Sequence, residues 1–137
     1  MTNDLERYSG VALLLLRIGV GSIFILAGWG KLTGIEGAQG LFGNIGIPAA
    51  GIMAWIVALI EFIGGFMVLL GAYIRVPAIL LATIMVVAIL TVKMQAGWGD
   101  MRIDFTLLLM NLALFIMGSG KLSVDHKLGR TGRVGEL

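Results

Sequence analysis

Arg17 and Glu61 are the residues of this sequence best placed to do chemistry, because each interrupts a long apolar run. A guanidinium fork and a carboxylate in such surroundings can polarise a carbonyl, hold an anion or exchange a proton. Ionisable groups inside a membrane span point by default to a substrate or proton path. Lys31, Lys93 and Asn111 interrupt comparable runs and complete the set of candidate substrate-binding residues. Thiol and metal chemistry are poor fits: cysteine is absent and the one histidine, His126, lies close to the C-terminal end. No metal site and no covalent cofactor are therefore expected. The pattern names binding candidates and leaves the catalytic residue, if there is one, unassigned.

The elements that must position these residues follow from hydropathy. The chain has 137 residues, 58% hydrophobic and 13% charged, with a mean hydropathy of +1.00. A soluble domain this small needs far more polar covering. Crossing a bilayer core takes roughly 20 apolar helical residues, and four segments approach that length, about 9–32, 48–72, 76–94 and 103–122. The expected fold is all-α, an integral membrane four-helix bundle over 1–122 with a frayed polar tail over 123–137. Residues 33–47, glycine-rich and ending at Pro48, read as the longest loop. Lys121 extends the short fourth span by reaching to the interface.

Each span carries its polar groups at alternating three- and four-residue steps, which keeps them on one helix face. The stripes are Arg17, Gly21, Phe24, Gly28, Lys31; Gly51, Ala54, Ala58, Glu61, Gly65, Val68; Thr83, Val86, Leu90, Lys93; and Asp104, Leu108, Asn111, Phe115, Gly118. Charges avoid lipid, so the four stripes are expected to meet along one axis. A rise of about 1.5 Å per residue sets Arg17 roughly 12 Å and Glu61 roughly 16 Å above the inner ends of their helices. At nearly equal depth they are predicted to form a buried ion pair, which either fixes helix register or serves a ligand. Lys31, Lys93, Asp104 and Glu36 gather above them in a polar outer vestibule. Asn111 is read first as a helix-to-helix hydrogen bond and second as a ligand contact.

Orientation follows from lysine and arginine. One set of helix ends holds Arg7, Arg75, Lys121, Lys127, Arg130 and Arg133, the other Lys31, Lys93 and Arg102. Both termini are expected in the cytoplasm, with Trp29, Trp55 and Trp98 anchored at the outer interface and the first span a permanent helix. The net charge of +2 and the scattered basic residues give no footprint for nucleic acid.

These residues carry a family resemblance. The first helix has an arginine and a Gly-x-x-Lys-Leu ending in LLLLRIGVGSIFILAGWGKLTG. Phe-Gly-x-x-Gly-Ile-Pro precedes the second, Glu-x-x-Gly-Gly lies within it, and Gly-x-Gly-Lys-Leu-Ser-x-Asp follows the fourth. Over about Leu13 to Asp125 the chain resembles the DoxX family of small bacterial membrane proteins. The resemblance implies a four-helix bundle and a link to membrane oxidoreductases, since the related DoxD proteins are associated with thiosulfate:quinone oxidoreductase and terminal quinol oxidase assemblies. Arg17, Lys31 and Glu61 are the charged residues of the shared motifs. Lys93 stands where many relatives place a histidine.

Three functions remain open on the sequence. The first is a subunit of an oxidoreductase system in a bacterial cytoplasmic membrane, binding quinone or a small redox substrate at the Arg17–Glu61 site. With no cysteine and no histidine within the spans, electrons would come from a partner subunit or the substrate. The second is a carrier for a small solute or oxyanion, drawn in by Lys31, Lys93 and Arg102. The third is a structural or assembly subunit, in which small-residue pairs such as Ala54 with Ala58 and Ala78 with Ala82 seat partner helices or a second copy.

Overall fold

The computed structural model describes residues 2–93, 97–118, 120 and 123–127, the side chains of 2–7, 92, 93, 100 and 126 excepted. All the regular structure among them is helical: α1 (Thr2–Thr33), α2 (Ile35–Asn44), α3 (Ala50–Leu70), α4 (Arg75–Ala88) running into a π-helical segment (Ile89–Lys93), α5 (Trp98–Met117) and α6 (Val124–Lys127). Among the described residues two helical stretches are long and apolar enough to cross a membrane, Tyr8–Thr33 and Ala50–Leu70. Only a third of each is buried within the chain. The rest of their surface, with Leu15, Leu26, Ile52 and Ile63 more than half exposed, faces outward as a helix in lipid does.

α1 packs most extensively on α3, and α4 on α5; α3 joins the two pairs through α4, while α1 meets α5 only lightly. The α1–α3 seam is close because glycines line it. A Cβ on Gly28 would lie 2.5 Å from the Phe62 nitrogen, and one on Gly65 would lie 2.8 Å from the Ile25 nitrogen. Gly21 meets Gly65 and Leu69 in the same way. Backbones this near leave no slack for sliding, so the seam fixes an antiparallel register. Behind it lies a core of Val20, Phe24, Val68, Leu81, Met85, Leu107 and Leu114.

Several expected boundaries move. The loop predicted over 33–47 contains α2, whose Ile35, Ala38 and Phe42 recur at helical spacing and turn Phe42 inward. α5 begins at Trp98, not 103, and stops at Met117, because Gly118 takes a left-handed φ of 81° that ends the helix. Lys121, expected to extend it, lies outside the described residues, as do Arg130 and Arg133. Of the tail expected to fray, residues 123–127 pack back instead, α6 docking with Ser123 and Asp125 buried, and 128–137 lie outside the described residues.

Two stripes also differ. On α4 the inward face is Ala78, Leu81, Ala82 and Met85, whereas Thr83, Val86 and Leu90 point out. Thr83 donates to the Ile79 carbonyl of its own helix, so its hydroxyl does not require a neighbouring helix. On α5 the inward face runs through Leu107, Asn111 and Leu114, with Phe115 turned outward. The Ala54/Ala58 and Ala78/Ala82 pairs, expected to seat partner helices, are buried within the chain itself.

If the glycine seam sets the register, Gly28→Ala should lower stability by about 1–3 kcal/mol through overpacking. Gly30→Ala, which meets open space, should be neutral or slightly stabilising. Thermal unfolding in detergent checks this, and equal effects at the two positions would contradict it.

Candidate functional site

Glu61 sits on the inward face of α3 between Ala58 and Gly65, its side chain 4% exposed. The Lys31 ammonium, from the last turn of α1, donates to Glu61 Oε2 at 2.7 Å and is itself 28% exposed. Asp104, partly buried on α5, lies near enough to act on the charge of Glu61. Three helices thus bring one cation and two carboxylates together towards one end of the chain.

The predicted Arg17–Glu61 pair does not form; Lys31 takes the carboxylate instead. Register explains the difference. With Gly28 beside Phe62 and Gly21 beside Gly65, Glu61 is level with residues near 28 on α1. Arg17 therefore lies about 11 residues, or roughly 17 Å, further down. Counting depth from Ser9 sets the inner ends of the two helices level, whereas α1 begins at Thr2 and runs past the end of α3.

Arg17, 1% exposed, packs instead against Gly71 and Ser123, so closely that a Cβ at Gly71 would overlap its Nη1. Asp125 lies near enough to act on its charge. Asp125 in turn accepts the Tyr73 N–H at 2.7 Å and the Ile74 N–H at 3.0 Å, capping the start of α4, while its own N–H donates to the Gly71 carbonyl at 3.1 Å. Gly71 has a left-handed φ of 72°, which glycine adopts without strain. The result is a clasp joining α1, the α3–α4 turn and the tail. Sequence reading missed Asp125; the Ser-x-Asp ending of the last motif was the available signal, a polar pair at the start of a helix.

Asn111 is fully buried, and its Nδ2 donates to Leu107 O at 2.9 Å within α5, not to another helix as expected. Its Oδ1 accepts nothing from the described residues. The Lys93 side chain falls outside the described residues, although its backbone lies in the π-helical segment packed on α5. Glu36 is exposed on α2 and does not join the cluster. Among the described residues no three metal-ligating side chains gather.

A family model named DoxX matches residues 12–94, well over half of the chain. The chain belongs to the DoxX family. It is 40% identical over 116 residues to CatD of Bacillus subtilis, a protein provisionally named an oxidoreductase, covering 84% of this chain and 85% of CatD. It is also 32% identical to the Escherichia coli inner membrane protein YqjF, over 92% of this chain and 98% of YqjF. A Mycobacterium tuberculosis membrane protein, Rv3486, shares 32% identity over 87% of this chain and 82% of its own length. No solved structure matches. Membership covers α1 to the π-helical segment and so includes Arg17, Lys31 and Glu61. The chain is accordingly a member of a membrane protein family.

Lys31→Met strands a buried carboxylate. It should cost towards the lower end of the roughly 3–5 kcal/mol typical of breaking a buried pair, because Lys31 keeps some water contact. Adding Glu61→Gln should recover most of that loss, whereas Arg17→Met and Glu61→Gln should combine additively to within about 0.5 kcal/mol. Unfolding titrations of the two double-mutant cycles test this; coupling of Glu61 to Arg17 rather than to Lys31 would refute the assignment.

Proposed function

We propose that the chain is a multi-pass inner-membrane subunit of an oxidoreductase system that binds quinone or a small redox substrate beside Lys31 and Glu61. The observation carrying this reading is the 2.7 Å ammonium–carboxylate contact with Glu61 almost wholly out of solvent. A cation there can donate to a substrate carbonyl oxygen, and the carboxylate can accept or return a proton as that oxygen changes its charge. A low-dielectric surround strengthens both interactions. The redox centre is supplied by the substrate, a quinone or a partner chain, because the sequence has no cysteine and its one histidine is in the tail. The provisional oxidoreductase name of CatD supports the same class of chemistry.

In this reading α1, α3, α4 with its π-helical segment, and α5 are the four spans of a membrane bundle, with both termini cytoplasmic. The clasp supports that topology: the tail bonds to the α3–α4 turn, so Arg75 and Lys127 share one side. Excess arginine and lysine on one side marks it as cytoplasmic. Lys31 and Glu61 then lie towards the outer leaflet.

The oxyanion-carrier reading loses support, because Lys31, one of the three outer cations meant to draw the anion in, is already paired with Glu61. Purified from its native membrane, the wild type is expected to retain quinone, and Glu61→Gln to retain roughly tenfold less, the loss of one charge-assisted hydrogen bond. A quinone-free protein that carries labelled thiosulfate into liposomes would overturn the proposal.

A further inference from the structure

The lightly packed α1–α5 side carries a groove of about 290 Å³ lined by Ile23, Arg102, Ile103, Thr106, Leu107 and Met110. Its walls are apolar apart from Arg102 and Thr106, and the Thr106 hydroxyl is already committed to the Arg102 carbonyl at 2.7 Å. The Arg102 side chain is exposed and has no partner among the described residues. Asp104, two residues on, lies about 200° further round the helix and is not among the residues lining the groove.

The groove is also polarised lengthwise. Along α5 it runs from Arg102 to Met110, eight residues or roughly 12 Å. Trp98 and Trp29, both more than half exposed, mark the Arg102 end as the interfacial one. The Met110 end, where the Met110 methyl comes within 3.9 Å of a Cβ placed on Gly19, lies deeper. One fixed cation at the interface and an apolar slot running inward from it is the mirror image of one anionic lipid in that leaflet.

We infer that this groove binds a single anionic phospholipid, its phosphate on Arg102 and an acyl chain along Ile103, Leu107 and Met110 against Ile23. An arginine fork suits phosphate oxygens, taking two at once. A neutral or zwitterionic amphiphile fills the slot equally well but leaves the cation without net countercharge.

Native mass spectrometry of the protein released from nanodiscs of mixed phosphatidylglycerol and phosphatidylcholine tests the inference. The wild type should retain phosphatidylglycerol about fivefold over phosphatidylcholine, the effect of one basic residue near a membrane surface. Arg102→Gln should remove that preference and Arg102→Lys should keep part of it. Both variants alter an exposed side chain with no described contact, so folding is not at stake. Equal retention of the two lipids by the wild type, or a preference that survives Arg102→Gln, overturns the inference.

Discussion

Glycine-to-backbone contact between α1 and α3 is the constraint on which the remaining structure depends. Gly21, Gly28 and Gly65 let the two helices approach until a single added carbon has no room. At that separation the register is fixed to within a fraction of a turn, and the register decides which charge faces which. Lys31 meets Glu61 because Gly28 sits beside Phe62, and Arg17 meets the tail because it falls level with Gly71. Burial would be costly for any of these ions alone. Packing thus chooses the partners, and the ion pairs reinforce the packing that chose them.

The two charged groups have different characters. The Arg17 clasp is closed off by packing: Asp125 accepts two backbone N–H groups, and Arg17 and Ser123 crowd against Gly71. It holds residues 123–127, the α3–α4 turn and α1 together, with Arg17 1% exposed. The Lys31–Glu61 contact is simpler, a single hydrogen bond between side chains with Lys31 partly open to solvent. A contact of that kind can be shared with a third group, which is why the functional reading rests there and not on Arg17.

Much of this was legible in the sequence, and the failures have physical causes. Helical content and the inward faces of α1 and α3 followed from spacing, because lipid forbids the alternatives and both helices carry charges that mark a side. α4 offered no such mark: Thr83 satisfies itself within its own helix, and the true inward face is alanines and leucine that hydropathy does not distinguish from the outward one. The Arg17–Glu61 error came from counting depth from guessed helix ends, whereas depth is set by contacts between helices. Glycine spacing in both motifs held that information, since small residues on facing helices mark where the backbones touch. The clasp was hidden because a short charged tail reads as solvated unless its cap is recognised.

The account stands on Glu61 facing Lys31, and a dipolar-recoupling NMR distance measures that directly. Protein carrying ¹⁵N at lysine Nζ and ¹³C at glutamate Cδ, reconstituted in lipid, should show one strong coupling that vanishes in Lys31→Met, as the 2.7 Å contact requires. No such coupling, or one from Glu61 to an arginine guanidinium that vanishes in Arg17→Met, would contradict the register and the site built on it.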